Sequence, residues 1–575
     1  MLSLRTTALV AALLAPGLTA CETASGLWLR NGTIYLDAER APVESMLLVF
    51  GAVYAAGSEA EVREVIATWD EKVEIPGLRV RELDLGGAVA VPGLTDAHGH
   101  LEGLGEALES VDLLGCRSLD ELVERVAARA AKQPSGSWIL GRGWDQTLFP
   151  GQAFPEHGAL SARVPDHPVF LERVDGHAAF VNARALELAG LSAGGVPEVE
   201  GGRVVLDPAG RPSGVLVDAA TALVAAKIPP PDGETRTRRI LAAQAELVAS
   251  GLVGMHDMGT APETLSVLRE LERDGRLKLR VASYVWANEG LPARVGSERR
   301  ALGSRPAFEE RGGRLRLVGA KLMVDGALGS RGAALLAPYA DAPSEVGLLQ
   351  MSPEVFAARL HEVVAAGLQP ATHAIGDRGN RVVLDAYERE FGEPGARARF
   401  RPRIEHAQVV APEDWERFEE LGIVPSMQPT HATSDMRWAE TRLGPERVAG
   451  AYAWRRLAGP HAPLACGSDF PVESPKPLLG LYAARTRQDA GGNPGGGWRA
   501  DQCLDGQSAL AGFTSGAAYA AHEERQRGKL LPGYAADVTV LSVDPIRCEP
   551  RALLEARVLA TIIGGQIVHS ALPKD

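Results

Sequence analysis

The pair His98 and His100 is the first group of residues whose types and spacing could support chemistry. Both lie in the segment 92–100, PGLTDAHGH, which we interpret as the end of a β-strand. Side chains two residues apart in a strand point to the same face, so both imidazoles can bind one metal ion. Alone, this spacing is weak evidence, because exposed histidines also pair by chance.

Further residues of ligand type lie within or at the ends of later apolar strands, namely Lys321, His373, His406 and Asp469. A charged side chain buried in such a strand is costly without a partner. A shared cation would give all of them one. The set therefore predicts a site for a shared divalent metal ion, with zinc as the first choice for a histidine-rich site and iron or manganese as alternatives.

The segments that carry these residues alternate with amphipathic helical stretches between residues 91 and 526. Such alternation is typical of repeated βα units, and about eight strands predict a (β/α)8 barrel, whose active site lies at the C-terminal ends of its strands. The expected strands are 89–91, 169–171, 252–256, 281–285, 318–324, 370–373, 403–406, 423–427 and 464–468. The expected helices are 119–131, 235–250, 262–274, 353–366, 378–391 and 412–421.

The remaining segments predict additions to the barrel of residues 91–526. The stretch from about 101 to 240 is long for one connection, and we expect an inserted subdomain over the barrel mouth. Both ends of the chain contain short β-rich pieces separated by turn residues. We therefore predict one small β-sandwich, built from residues 27–90 and 527–572.

Residues 1–20 resemble a signal peptide, with Arg5 before a short apolar run. The end of this segment, LTAC at 18–21, resembles a bacterial lipobox, which implies cleavage before Cys21 and a lipid on its sulfur. An exported protein, lipid-anchored in the bacterial cell envelope at the outer membrane or periplasmic face, is the expected result. The alternative is an ordinary secretory signal and a periplasmic or secreted protein. The other four cysteines show no metal-type or disulfide-type spacing.

The net charge of −13 argues against nucleic acid as a partner, because nucleic-acid binders present a basic surface that replaces phosphate counterions. A small-molecule substrate is the expected partner. Membrane contact is expected only through the lipid at Cys21. The sequence specifies no oligomeric state.

The ordered set of HxH, lysine, two histidines and aspartate on successive strands resembles the amidohydrolase superfamily. Longer motifs resemble its family 3 branch, which contains N-substituted formamide deformylase. The resemblance runs from about residue 27 to 568. The motifs are 141–146 (GRGWDQ), 175–182 (DGHAAFVN), 325–331 (DGALGSR), 373–377 (HAIGD), 404–408 (IEHAQ) and 467–471 (GSDFP).

This resemblance implies a ligand set. His98 and His100 would bind the more buried metal together with Asp469, and the second metal would be bound by His373 and His406. Lys321 would bridge the two metals as a carbamate formed with CO2. The alternative for Lys321 is a salt-bridged or substrate-contacting lysine beside a single metal.

A metal of this kind lowers the pKa of bound water to about 7, and Asp469 would take its proton and deliver it to the leaving group. His177 is the candidate for polarising the substrate carbonyl or contacting the substrate, with a structural role as the alternative. The candidates for substrate binding are Trp144, Asp145, Gln146 and Arg331. Trp144 could instead be a core residue, and Arg331 could fasten a loop.

The predicted function is therefore hydrolysis of a C–N bond, in an amide or an N-formyl or N-acyl compound, by metal-activated water. A deaminase or an esterase on the same barrel is one alternative, because both use the same activated water. A surface lipoprotein that binds a ligand without turning it over is the other.

Overall fold

In this computed structural model, the chain is described at residues 25–68, 79–173, 178–191, 197, 199, 202–301, 306–307 and 313–572. Its internal contacts divide it into two compact units. Unit 1 contains the chain up to Leu101 and from Gln244 onward, and unit 2 is Glu102–Ala243, the stretch for which the sequence predicts an insertion. Within the described ranges, every helix is too short or too polar to cross a lipid bilayer.

The strands are, in chain order, β1 (Ser25–Arg30), β2 (Thr33–Ile34), β3 (Ser45–Val49), β4 (Ala52–Gly57), β5 (Arg79–Asp84), β6 (Val89–Pro92), β7 (Leu94–Gly99), β8 (Val111–Asp112), β9 (Ile139–Trp144), β10 (Val169–Arg173), β11 (Ala178–Val181), β12 (Gly202–Leu206), β13 (Pro212–Asp218), β14 (Leu252–Thr260), β15 (Arg280–Trp286), β16 (Leu315–Met323), β17 (Gln369–Ala374), β18 (Arg403–His406), β19 (Val424–Met427), β20 (Ala465–Cys466), β21 (Val538–Leu541), β22 (Val558–Ile563) and β23 (Gln566–Ser570).

The α-helices are Glu59–Ala67, Leu101–Glu109, Leu119–Ala130, Gly158–Arg163, Ala183–Leu188, Ala222–Ala225, Gly233–Ala249, Pro262–Arg273, Ala293–Ala301, Pro353–Ala365, Asp377–Glu390, Pro394–Phe400, Trp415–Leu421, Pro429–Arg447, Trp454–Leu457, Pro477–Thr486, Gly506–Gly512 and Ser515–Ala520.

An eight-stranded parallel sheet forms the centre of unit 1, in the order β7, β14, β15, β16, β17, β18, β19, β20. Parallel neighbours need a crossover connection, and amphipathic helices supply it: Pro353–Ala365, for example, buries Phe356 and Leu360 in the large core cluster. The predicted barrel is thus confirmed. Two expected barrel strands belong elsewhere, because 89–91 lies in β6 of another sheet and 169–171 lies in β10 of unit 2.

The barrel is closed between its first and last strands by the segment after β20. The N–H of Asp469 donates to the carbonyl of His98 at 2.7 Å, and the N–H of His100 donates to that of Phe470 at 2.9 Å. The segment after β20 approaches β7 so closely that position 467 must be glycine, since a Cβ there would lie 2.5 Å from the backbone nitrogen of His98. This contact brings the HxH segment next to Asp469.

The two chain ends contribute two further sheets to unit 1. One has the order β4, β3, β1, β5, and the other has the order β2, β6, β21, β22, β23. In the second sheet β6 pairs antiparallel with β21, so strands from both termini lie side by side. Apolar residues of both sheets, including Leu27, Leu48, Val540 and Ile562, form one buried cluster.

Unit 2 is a mixed six-stranded sheet in the order β12, β13, β11, β10, β9, β8. The helix Leu119–Ala130 begins at Ser118, whose side chain accepts the N–H of Glu121. It buries Leu122 and Val126 in the same apolar cluster as residues of β9 and β10. Unit 2 therefore has a hydrophobic core of its own.

Candidate metal centre

His98 is the next-to-last residue of β7, and its side chain is buried. Its Nδ1 lies 2.6 Å from Oε2 of Glu405 in β18. An ionised carboxylate only accepts hydrogen bonds, so Nδ1–H donates to it and the lone pair remains on Nε2. Burial, and after it the charge of Lys321, lowers the pKa of His98 to about 4. At neutral pH the ring is therefore neutral, which is the form that binds a metal.

Glu405 is held by Arg403, whose Nε and Nη2 lie 2.8 and 3.1 Å from its two carboxylate oxygens. Both side chains are completely buried. Burial alone raises the pKa of Glu405, but the charge of Arg403 and the hydrogen bond from His98 outweigh burial and hold this pKa well below its usual range. Arg403 also donates to Nδ1 of His256 at 2.8 Å and to Oγ of Ser426 at 2.9 Å. Glu405 is therefore a fixed anion that orients His98.

His406 ends β18 with a φ of +73°, a backbone conformation that residues other than glycine rarely adopt. Its Nδ1 lies 2.8 Å from Oε1 of Gln428, the residue that follows β19. An amide oxygen only accepts, so Nδ1–H donates and Nε2 keeps the lone pair, as in His98. The His406 ring centroid is 4.6 Å from that of His98 and 4.6 Å from that of His373.

Asp469 follows β20 and also has a positive φ, of +61°. Its Oδ1 lies 2.9 Å from Nε2 of His100 and 3.5 Å from Nε2 of His98. One ligand atom each from His98, His406 and Asp469 lies within 4.8 Å of the other two, and all three residues are buried. Strained backbone of this kind is common at ligand sites, where the surrounding structure holds it in place. The three side chains can bind one metal ion together.

Lys321 in β16 and His373 in β17 lie beside this group. Nζ of Lys321 is 3.5 Å from Nε2 of His98, and burial lowers the pKa of Lys321 to about 8. Nε2 of His373 is 3.6 Å from Oδ1 of Asp325 and has no hydrogen-bond partner among the described residues. With His100, the six residues predicted as ligands all lie at one end of the barrel.

The chemistry of these side chains fits a divalent cation. Neutral imidazole nitrogens and a carboxylate are ligands of zinc and of other first-row metals. Nε2 of His373 is buried without a hydrogen-bond partner in the described part of the chain, and an unpaired buried polar group costs about 1–3 kcal/mol. A cation beside the buried carboxylate of Asp469 would also supply the opposite charge that a buried anion needs.

Three residues that hold the centre in place were given no role by the sequence analysis: Asp96, Glu405 and Gln428. Asp96 accepts the N–H of His98 at 3.0 Å, and both the N–H and the hydroxyl of Ser468, at 3.1 and 2.7 Å. The spacing of Asp96 could have indicated this supporting role, because it precedes His98 by two residues and so lies on the same strand face. No comparable signal marks Gln428, whose partner lies on another strand.

A protein-family model described as "Amidohydrolase family" matches residues 81–569. The chain belongs to the amidohydrolase family. Protein LONG AFTER FAR-RED 3 of Arabidopsis thaliana is 33% identical over 553 residues, which are 94% of this chain and 91% of that protein. N-substituted formamide deformylase of Arthrobacter pascens is 26% identical over 549 residues, covering 92% of this chain and 95% of that protein.

A solved hydrolase structure is also similar to this amidohydrolase over most of its length. An uncharacterized metal-dependent hydrolase from Pyrococcus horikoshii is 31% identical, with a TM-score of 0.76, over 91% of this chain and 99% of its own. The family resemblance predicted from the motifs is confirmed. The chain is a hydrolase built on a parallel barrel, and its family indicates metal dependence.

Three residues predicted to contact the substrate belong to unit 2 of the amidohydrolase: Trp144, Asp145 and Gln146. Trp144 is completely buried, and its Nε1 donates to the carbonyl of Leu171 at 2.8 Å, so the ring is part of the core of this unit. Arg173 donates to Asp145 at 3.0 Å and to Gln146 at 2.8 Å. A role in substrate binding stays a prediction for these residues.

The other two predicted site residues are Arg331 and His177. Nη2 of Arg331 lies 2.9 Å from Oδ2 of Asp341, and Arg442 pairs with the same carboxylate. This pairing corresponds to the loop-fastening alternative and engages the guanidinium that would otherwise bind a substrate carboxylate. His177 lies outside the described residues.

Proposed function

We propose that the protein is a metal-dependent hydrolase that cleaves an amide-type C–N bond in a small N-formyl or N-acyl compound. One observation carries the proposal. His98 and His406 are both buried with Nδ1–H donated to a fixed acceptor, and ligand atoms of both residues lie within 4.8 Å of one another and of a carboxylate oxygen of Asp469. Pre-set ligand atoms of this kind are what a metal site needs.

We further propose that the site binds one or two zinc ions. His98, His406 and Asp469 would hold the first ion, and His100, His373 and Lys321 are close enough to complete the set. Lys321 is proposed to carry a carbamate, which would convert a neutral amine into an anionic ligand with two oxygens. In 13C-bicarbonate buffer, the wild type should give a carbamate 13C signal that is missing from Lys321→Met. An identical spectrum for the two proteins would exclude the carbamate.

The side chains divide the work of hydrolysis. When bound, the metal supplies Lewis acidity, which lowers the pKa of bound water to about 7. Asp469 accepts the proton of the attacking water and returns it to the leaving nitrogen, a general base and acid role that contributes roughly 10²–10⁴ to the rate. Glu405 and Gln428 keep the rings of His98 and His406 in the required tautomer.

The bond and substrate class are tested by product analysis on metal-loaded protein. A panel of N-formyl amines, N-acyl amines, cyclic amidines and esters is incubated with protein of known zinc content, and free amine, ammonia and acid are measured separately. The proposal expects amine and carboxylic acid in equal amounts, and the deformylase relative makes N-substituted formamides the first compounds to test. Ammonia from an amidine, or turnover of esters alone, would contradict it. Protein that binds no metal and turns over nothing would support a binding lipoprotein instead.

The two terminal sheets are proposed to form the β-sandwich that the sequence predicts. Their shared apolar cluster, which contains Leu48 and Val540, supports this arrangement. A Val540→Asp substitution should then make the N-terminal segment as sensitive to protease as the C-terminal one. Cleavage confined to the C-terminal segment would contradict a common core.

Export and lipid anchoring at Cys21 are also proposed, from the signal-like segment 1–20 alone. When the full chain is expressed in a Gram-negative host, the mature protein should start at Cys21, carry acyl chains by mass spectrometry and sediment with membranes. Cys21→Ala should leave the protein unacylated. A wild-type protein without acyl chains would contradict the anchor.

A further inference from the structure

His431 lies in the first turn of the helix Pro429–Arg447, directly after β19. Its side chain is only 9% exposed, and Nε2 has no hydrogen-bond partner in the described chain. Its other nitrogen, Nδ1, lies 3.3 Å from the amide nitrogen of Gln408. An amide nitrogen only donates, so Nδ1 accepts and the ring proton of neutral His431 is on Nε2.

This tautomer is opposite to that of the neighbouring metal-site histidines. His98 and His406 donate from Nδ1 and keep a lone pair on Nε2, whereas His431 accepts at Nδ1 and carries its proton on Nε2. The ring of His431 stacks on that of His406, with centroids 5.9 Å apart and planes 16° apart. A ring whose unpartnered Nε2 carries the proton can donate a hydrogen bond from that atom, and it offers a cation no lone pair there.

The Nε2 atom of His431 lies close to the carboxylate of Asp469. Nε2 is 3.7 Å from Oδ2 of Asp469, which is longer than a hydrogen bond, so the donor is close to this carboxylate without being used by it. A buried donor left unpaired costs about 1–3 kcal/mol, so a ligand oxygen at this place would recover stability.

We propose that the Nε2–H of His431 donates a hydrogen bond to the acyl oxygen of the substrate. This inference rests on the proposed amide hydrolysis. When the water oxygen bonds to the acyl carbon and Asp469 takes a proton from the water, the π electron pair of C=O moves onto the acyl oxygen. His431 stabilises the new negative charge on the acyl oxygen without giving up its own proton. The C–N bond then breaks with its electron pair on nitrogen, which takes the proton held by Asp469, and C=O re-forms.

Gln408 is a positioning residue in this arrangement, because it acts only through His431. Its backbone carbonyl accepts the N–H of Tyr452 at 2.6 Å, which fixes the segment after β18 that carries the amide. Without the amide of Gln408, Nδ1 could also hold the proton, and part of the population would present a lone pair to the acyl oxygen. The donor would then be lost in that part of the molecules.

The first test is the tautomer, which needs no substrate. Long-range 15N–1H spectra of zinc-loaded protein labelled at histidine, recorded at a pH where the ring is neutral, should show the His431 proton on Nε2, the signal being assigned by its loss in His431→Gln. His361→Gln, on an exposed histidine, is the matched control for assignment. Gln408→Met should shift the His431 signal toward the other tautomer. A wild-type signal with the proton on Nδ1 overturns the proposal.

The second test is kinetic. His431→Phe should lower kcat on an N-acyl amine roughly 100- to 1,000-fold, the usual cost of losing one oxyanion donor, with KM changed less than threefold and zinc content unchanged. His431→Gln, whose amide can donate from a similar position, should recover at least tenfold. Unchanged kcat in His431→Phe, or loss of zinc in both variants, overturns the proposal. Failure of the wild type to release amine from any panel compound contradicts the proposed function instead, and the acyl-oxygen role with it.

Discussion

The two ends of the barrel both bury ionisable side chains, but they satisfy them differently. At the N-terminal end, Nε and Nη2 of Arg280 contact the two oxygens of Asp537 at 2.6 and 2.8 Å. There Glu523 is paired with Arg316 at 2.8 Å and with Arg527. These contacts pair opposite charges directly, so both carboxylates are already bound by arginine side chains.

At the C-terminal end, the buried groups are arranged so that ligand atoms remain available. The Nδ1 atoms of His98 and His406 are used by Glu405 and Gln428, while Nε2 of each ring keeps its lone pair. Buried charge alone therefore does not mark the site of chemistry. Buried groups oriented by a second group, with one atom left unpaired, mark it better.

The largest effect expected at the C-terminal end is on turnover. Asp469→Asn removes the group that accepts and returns the proton, and kcat should fall roughly 10²–10⁴-fold. The thermal midpoint should stay within a few degrees of the wild type, because the side-chain volume is kept. Steady-state amine release measures the first effect and calorimetry the second. Asp274→Asn, on an exposed residue, is the control and should be unchanged; parental turnover in Asp469→Asn would refute its role.

A matched change at the N-terminal end should affect stability instead. Asp537→Asn removes the counter-ion of Arg280, whose side chain is only 14% exposed, and removal of one partner of a largely buried pair should cost on the order of 3 kcal/mol in the free energy of unfolding. Urea denaturation measures this loss. Zinc affinity, by isothermal titration, should stay within twofold of the wild type. A large loss of zinc affinity with unchanged stability would reverse the proposed contrast between the two ends.

The N-terminal end should also determine part of the acid sensitivity. Burial alone raises the pKa of Glu523, but Arg527 and Arg316 outweigh burial and lower it to about 2, below its ordinary value of 4.5. A group with a lowered folded-state pKa stabilises the fold above its unfolded pKa and loses that effect as the pH falls. Between about pH 5 and pH 2, the wild type should lose on the order of 3 kcal/mol through this group. Glu523→Gln should have a flatter pH profile of unfolding free energy; parallel profiles would contradict the assignment.

The smallest expected effect sharpens the account of the metal centre. Gln428→Met removes the acceptor for Nδ1–H of His406 with little change in volume. Loss of such a supporting contact typically costs 10–100-fold in metal affinity, which competition with a chelating dye can measure. Gln566→Met, at an exposed position of β23, should bind zinc as the wild type does. Equal affinity in both variants would mean that His406 needs no orientation by Gln428.

Periodicity in the sequence was enough to predict most of the barrel. The strands β14 to β19 and six helices, from Leu119–Ala130 to Trp415–Leu421, lie close to their expected positions. The first barrel strand was placed too early, at 89–91 with its end at 92–100, because Leu94–Gly99 contains Thr95 and Asp96 instead of a continuous apolar run. The helix Pro429–Arg447 was missed because it has no regular apolar stripe.

Ligand types could be proposed from the sequence, but their orientation could not. His98, His406 and Asp469 were recognisable because each ends or follows an apolar strand. The contacts that select their tautomers involve Glu405 and Gln428, which reach across from other strands. Pairing across strands depends on the register of the closed sheet, and local patterns do not encode it.

The closure of the barrel has a consequence for its mechanical integrity. His98 belongs to the first strand of the ring, and Asp469 follows the last, with backbone hydrogen bonds across the junction. An ion bound by both side chains would link the first and last strands, and its binding free energy would oppose separation of these two strands. Removal of the ion would then allow the first and last strands to separate before the other neighbouring strands of the barrel.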